Sequence, residues 1–426
     1  MRALLLRGRG FDALELSRVP IPQPAAGQLL ARVDAAGVCT SLLKLIDQGA
    51  NHSYLYGWDT ERFPLILGDE GAVTLVQVGA ALQERYRVGE RYVIQPAVDH
   101  APINYRERYR DHGQAVHKVA VGYTLPGHLA EYILIPEEVI AAGCLLPIGE
   151  LAAAHAAMAE PLSCVVSAHD HHLHLYQDSP QTPRRVEKGL RPGGVTVVIG
   201  AGAMGRMHVE LALHYRPRAV IVADRLPERL ELSQRLFAAK AQAAGVVLHT
   251  VLAEGQALET KLAQVSQHHG ADDVIVAVGV AQAIESAQQL VGRGGVLNVF
   301  GGLQKGQDHI QLDTGRVHYG EIVVTGSSGG SPWDVAQTLQ LLQQGTLEAS
   351  KHIALIGDLD HAPQVLAMMR RQELDGKAIL YPHRSSSQWQ RVQQWQASDE
   401  AAYLGAKQPT SASISSPIAE LSSDEA

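Results

Sequence analysis

Residues 195–224 read VTVVIGAGAMGRMHVELALHYRPRAVIVAD, and this stretch decides the fold. An apolar run, Val195–Ile199, meets the turn Gly200-Ala201-Gly202-Ala203-Met204-Gly205. A helix-like stretch follows to about Tyr215, and a second apolar run, Ala219–Ala223, closes on Asp224. The first glycine permits a tight strand-to-helix turn, and the second lets backbone approach a pyrophosphate. The third lets the helix pack close to the sheet, with its N-terminal amides facing the anion. Asp224 stands nineteen residues beyond Gly205, where an acid can accept hydrogen bonds from an adenosine ribose. Arg225, next to it, could pair with a phosphate or stack on adenine. A lone glycine turn is a weak signal. Strand, turn, helix, strand and acid in this order predict a dinucleotide site made by Gly200, Gly202, Ala203, Met204, Gly205, Asp224 and Arg225. Because Asp224 should repel a 2′-phosphate, NAD(H) is favoured over NADP(H).

Working outward, strands and helices keep alternating. A helix is expected over Glu228–Ala244, a strand over Val246–Val251, a helix over Leu258–His268, a strand over Asp273–Val278, a helix over Ala281–Val291 and a strand over Val296–Phe300. That alternation predicts a parallel, doubly wound sheet. Residues 1–165 read as mostly β, with the short runs Leu29–Asp34, Val73–Val78, Glu90–Pro96 and Leu129–Pro136 set apart by Gly and Pro. Residues 166–330 form the dinucleotide domain. Residues 331–383 carry a helix, Trp333–Gln344, and end in the apolar run Lys377–Tyr381. Residues 384–426 are a tail rich in Ser, Gln and Ala. Within it Trp389, Val392 and Trp395 suggest one face of a short helix, and Ser411–Ala426 reads as disordered. A chain ending near residue 400 is therefore expected to keep its fold and activity.

Composition sets further limits. A chain of 426 residues exceeds one ordinary core, so two domains are the default. A net charge of −8 argues against a nucleic-acid partner, which needs a clustered basic face. Three cysteines make no disulfide framework, which points to a reducing, cytoplasmic setting. No apolar run is long enough to span a membrane, and the start, MRALLLRGRGFD, is too short and too charged for a signal peptide.

A second signal lies in the first half. Cys39 sits in AGVCTS, Asp69 and Glu70 in LGDEG, and Glu160 in AEPLS. One thiol and three acids, each close to a turn residue, could converge on a divalent metal, since thiolate and carboxylate are both competent zinc ligands. Spacing alone does not show convergence. Taken singly, Cys39 reads first as a buried small hydrophobe, and Glu70 and Glu160 as capped or paired surface acids.

These motifs give the chain a resemblance to the medium-chain dehydrogenase/reductase superfamily over residues 1 to about 383. The matching residues are Gly37–Cys39, LGDEGA with Val76–Gly79, Val88-Gly89-Glu90-Arg91, His128-Leu129-Ala130-Glu131-Tyr132, Glu160-Pro161-Leu162 and GAGAMG. The resemblance implies an α/β protein with a GroES-like β domain that holds a catalytic zinc, a Rossmann domain, and a final segment that returns to the first domain. Within the superfamily the chain is most similar to the polyol and sorbitol dehydrogenases. It is more similar still to L-sorbose-1-phosphate reductase-like members, through Arg91–Gln95, Glu160–Val165, Val317–Tyr319 and Gly326–Gly330. Implied, then, is a metal-dependent oxidoreductase that moves a hydride between NAD(P)(H) and a secondary alcohol or ketone of a polyol, ketose or sugar phosphate. Cys39, Asp69 and Glu160 would ligate one divalent metal, with Glu70 a further or exchangeable ligand. Ser41 would pass the proton, and His52 could continue that relay to solvent. The resemblance also implies a homo-oligomer, dimer or tetramer.

Two departures change the expected chemistry. Residues 97–136 contain no cysteine, so no structural zinc lobe is expected. The turn that usually reads Gly-His-Glu reads Gly68-Asp69-Glu70. A carboxylate in place of imidazole adds negative charge, weakens the Lewis acid and lessens the preference for zinc over harder ions. Leu42 stands where relatives often have an Asp. For the substrate, Arg106, Arg108, Arg110 and Lys118 could clamp a phosphate, but Glu107 and Asp111 favour a solvated mixed-charge loop. His169, His171, His172 and His174 lack fixed ligand spacing and read as exposed. Two other functions stay open: a metal-independent reductase of the quinone-reductase type, and a non-catalytic NAD(H)-binding regulatory protein.

Overall fold

A computed structural model describes residues 1–98, 106–109, 118–303, 306–386 and 388–405. The first half is organised around the strand Leu29–Val38. Its start buries Leu29, Leu30, Ala31 and Val33 around an exposed Arg32, and from Ala35 to Val38 every residue is buried, as a strand covered on both faces requires. Glu70–Val78 pairs with it on one side. On the other, Tyr132–Ile135 pairs with its first part and Lys377–Tyr381 with its last. Arg91–Ile94, Leu145–Pro147, Ile353–Asp358 and Gln390–Arg391 complete an eight-stranded mixed sheet. The late chain thus closes a sheet begun some three hundred residues earlier. Gly37 stands opposite Glu70 on one neighbour and Ile379 on the other. Cys39, Glu70 and Lys377 are brought to the same end of the sheet by that register.

The second sheet is six-stranded and wholly parallel. Val195–Ile199 lies between Ala219–Asp224 and Ala271–Val276; Val247–Leu252 lies beyond the first, and Val291–Val299 and Val323–Gly326 beyond the second. The strand order reverses between Val195–Ile199 and Ala271–Val276, the switch point at which such sheets bind their ligands. The helix Ala159–Asp170 carries Glu160 in its first turn and packs against Pro332–Gln343, whose start is fixed by a reciprocal Ser331–Asp334 capping box. Among the described residues no helix is long and apolar enough to cross a membrane.

Three expectations are corrected. The segment with Trp389, Val392 and Trp395 is no helix: it holds the two-residue strand Gln390–Arg391, and a helix follows at Ala397–Gly405. The indole of Trp395 is instead buried and donates to Tyr381 Oη at 2.8 Å, so tertiary burial, not helical spacing, sets those positions. A chain cut at residue 400 would divide this helix, and Glu400 is buried, accepting the Ala154 N–H at 3.2 Å. Finally, His169, His172 and His174 are buried, and only His171 is exposed. Aspartate and imidazole partners compensate those rings, which hydropathy alone does not register. Arg110, the Arg106 side chain and Ser411–Ala426 lie outside what is described.

Candidate active site

The glycine turn has the geometry a dinucleotide requires. Gly200 has φ +102°, a conformation open to glycine at no steric cost. A Cβ on Gly205 would collide with the Gly200 carbonyl, whereas one on Gly202 would meet nothing within 4 Å. The third glycine therefore serves packing, and the second leaves space above the turn. Gly202 caps the helix Ala203–His214 without a side-chain hydrogen bond, so the first-turn amides of Ala203, Met204 and Gly205 are not taken by a side-chain cap. Asp224 ends its strand and holds the turn together: Oδ2 accepts the Ala201 N–H at 2.7 Å and Oδ1 the Leu226 N–H at 3.0 Å. Each oxygen retains a lone pair for a ribose hydroxyl. Arg225 is exposed beside it.

Across a cavity of about 540 Å³, shared with Gly202, Ala203 and Met204, stand Cys39, Ser41, Asp69, Glu70 and Glu160. Ligand atoms of Cys39, Asp69 and Glu70 all lie within 4.8 Å of one another. Each acid has one oxygen pinned and one without a partner. Ser41 Oγ donates to Asp69 Oδ2 at 2.8 Å, and Lys377 Nζ donates to Glu70 Oε1. Asp69 Oδ1 and Glu70 Oε2 are buried with no hydrogen-bond partner. The Ser41 N–H points at Cys39 Sγ, 3.4 Å away. Two unpartnered oxygens beside a sulfur fit a divalent cation, because buried polar atoms otherwise go unsatisfied at a cost of about 1–3 kcal/mol each. Glu160 lies outside the tight trio and is steadied by Cys164, whose Sγ donates to its Oε1 at 3.5 Å.

The local charges lead to the same conclusion. Burial pushes the Cys39 thiol well above its usual range, and the Asp69 and Glu70 charges push it further. Burial raises Asp69 against the Ser41 hydrogen bond, and raises Glu70 against the pull of Lys377. Glu160 is raised well above the carboxylate range by burial, then by Glu70 and Asp69. Burial opposes the Lys377 ammonium, but Glu70 and Cys39 outweigh it and the net shift is upward. One lysine faces a thiol and three acids. A second positive charge is what this donor set calls for.

Lys377 was invisible to motif reading; its trace in the sequence is a single charge heading an otherwise apolar strand. Tyr54 and Tyr123 also line the cavity and form a ring trio with His52, centroids 5.4–5.8 Å apart. His52 itself is half-buried, and its Nδ1 accepts the Tyr54 N–H at 3.2 Å. His128, from the HLAEY motif, lies fully buried against Gly71, with Nδ1 3.2 Å from the Gly68 carbonyl oxygen. Arg108 does not face the cavity: its guanidinium lies over the rings of Trp58 and Phe63, 5.2 and 5.3 Å from their centroids.

The alcohol dehydrogenase GroES-like domain family matches residues 25–144, and the zinc-binding dehydrogenase family residues 203–344. The mannitol-1-phosphate 5-dehydrogenase of Aliivibrio fischeri is 31% identical over 384 residues, covering 88% of this chain and 85% of that one. The chain belongs to the zinc-type medium-chain dehydrogenase/reductase superfamily. L-sorbose 1-phosphate reductase of Klebsiella pneumoniae is 30% identical over 362 residues, 84% of this chain and 83% of that protein. Among solved structures, 2R,3R-butanediol dehydrogenase from Bacillus subtilis superposes with a TM-score of 0.69 at 18% identity, covering 90% and 99% of the two chains. As a member, the protein is an oxidoreductase of the zinc-type NAD(P)-dependent alcohol and polyol dehydrogenases, and the α/β architecture with its GroES-like part is that of the family.

Proposed function

We propose that this enzyme reduces a ketose or ketose phosphate, and oxidises the matching polyol, with NAD(H) preferred over NADP(H). One divalent metal, zinc by its thiolate ligand, would be held by Cys39, Asp69 and Glu160 with Glu70 alongside. The observation that carries this reading is the pair of buried, unpartnered oxygens, Asp69 Oδ1 and Glu70 Oε2, beside Cys39 in the cavity that opens onto Gly202. When bound, the metal supplies Lewis acidity and the nicotinamide exchanges the hydride. Ser41 carries an exchangeable proton beside the cluster, on a hydroxyl oriented by Asp69. Lys377 holds one oxygen of Glu70 and so keeps the other turned to the cluster. The helix Ala203–His214 receives the pyrophosphate on its first-turn amides, and Asp224 disfavours a 2′-phosphate.

The substrate class is supported by relatives named for mannitol 1-phosphate and L-sorbose 1-phosphate. A homo-oligomer is supported by the open edge strand Val323–Gly326, where Val324 is exposed, and by exposed Tyr319 and Trp333. The test is NADH oxidation by freshly purified protein on ketoses and ketose phosphates in parallel. Turnover with one of these is expected; bound metal without turnover on any carbonyl compound contradicts the reading.

A further inference from the structure

A second cluster lies away from the catalytic cavity, none of whose lining residues it shares. His172 and His174 stand at the start of the hairpin formed by Leu173–Tyr176 and Arg185–Lys188, while Asp273 lies on the central parallel strand Ala271–Val276. His172 Nδ1 is 2.6 Å and His174 Nε2 2.9 Å from the same oxygen, Asp273 Oδ1. The other oxygen accepts the Arg191 N–H at 2.8 Å, the kind of outer bond that orients a ligating carboxylate. All three side chains are buried, none more than 3% exposed.

A carboxylate buried so completely needs a positive charge nearby. The nearest guanidinium, that of Arg191, is directed to Asp272 at 3.2 Å. A cation held between the three groups would supply that charge. His169 lies 6.1 Å from His172 between ring centroids, and its Nε2 is 3.0 Å from His208 Nδ1. Two imidazole nitrogens and one carboxylate oxygen, brought from two separate segments to within 4.8 Å of one another, are a donor set suited to zinc and its neighbours in the first transition row. Around a tetrahedral ion with bonds near 2.0–2.1 Å, donor atoms lie about 3.3 Å apart. The two contacts to Asp273 Oδ1 would each lengthen by less than 1 Å to admit it.

We propose that His172, His174 and Asp273 bind a divalent transition-metal ion of zinc type, a structural site that fastens the hairpin to the dinucleotide sheet and is independent of the Cys39 cluster.

The test is metal content per chain in full-length protein purified without chelator, for wild type, His174→Gln, Cys39→Ser and the double variant. Glutamine keeps an N–H for Asp273 but is a poor metal ligand, so a mere hydrogen-bonded latch should tolerate it. His174→Gln is expected to lose one equivalent of zinc in both backgrounds, with chelator lowering the melting temperature of Cys39→Ser protein but not of the double variant. Equal metal content with and without His174 in both backgrounds would overturn the proposal. If His174→Gln does not fold, Co²⁺ added to chelator-stripped Cys39→Ser protein supplies the second reading. One equivalent bound with visible ligand-field absorption and no thiolate charge-transfer band supports the site, and no uptake overturns it.

Discussion

At the scale of single residues, the site depends on which oxygen of each acid is held and which is left free. Gly37 illustrates how tightly this is set: a Cβ there would run into Glu70 Oε2. Gly37→Ala should therefore lower turnover by roughly tenfold or more, about 1.4 kcal/mol or above in the barrier, while NADH affinity stays near wild type. Steady-state kinetics beside fluorescence titration with NADH separates the two, and parallel loss of both would point to general misfolding. Lys377→Met leaves Glu70 buried without its cation, a change that costs about 3–5 kcal/mol in comparable pairs. Adding Glu70→Gln should recover much of that loss in urea denaturation, and no recovery would show that Lys377 acts elsewhere. The sequence made Cys39, Asp69, Glu70 and Glu160 readable because each sits in a short motif whose neighbours recur in a known family. Lys377 was hidden because it lies 307 residues from Glu70, and only the pairing of Leu29–Val38 with Lys377–Tyr381 brings them together.

At the scale of elements, the strand–turn–helix unit at Val195–His214 was legible because glycine at fixed offsets is demanded by backbone geometry, not by side-chain chemistry. The buried histidines near Ala159–Asp170 were illegible for the opposite reason: a histidine reads as polar whatever partner waits for it, and Asp273 lies about a hundred residues away. Trp389 to Trp395 misled for a related cause, since helical spacing cannot be told from the spacing of residues that simply dock. Asp224 braces the turn through Ala201 and Leu226, and in the proposed function it also faces the ribose. Asp224→Ser should shift the ratio of catalytic efficiencies toward NADP(H) by about 1–3 kcal/mol, and should also weaken binding of both cofactors by loosening the turn. An unchanged NADP(H)/NAD(H) ratio would place the ribose away from Asp224.

At the scale of the molecule, the late chain is part of the body. Glu400 caps the start of the helix Ala153–Ala157, and Tyr403 lies against Tyr381 and Trp395, 5.2 and 5.8 Å between centroids. A chain ending at residue 405 should fold like the whole, whereas one ending at 396 should lose about 1–2 kcal/mol for the cap alone, read as a lower denaturation midpoint. Equal stability of the two would make the last helix an ornament. Acid sensitivity has an identifiable source as well. Burial lowers His128 to about 4, below the ordinary value near 6.5. The unfolded chain then binds more protons, so the stability this neutral ring contributes is full above about pH 6.5 and is lost as pH falls toward 4, at roughly 1.4 kcal/mol per pH unit. His128→Gln should remove that slope from the pH dependence of unfolding. The central claim is that Asp69 takes the place of an imidazole in a working metal centre made with Cys39, Glu160 and Glu70. It is tested most directly by measuring metal per chain together with NADH-dependent ketose reduction in wild type, Cys39→Ser, Asp69→Ala, Asp69→His and Glu160→Ala. The account predicts that Cys39→Ser and Glu160→Ala lose one equivalent of metal and turnover together while NADH still binds, that Asp69→Ala holds metal weakly, and that Asp69→His retains it. Full activity in protein stripped of metal would contradict it.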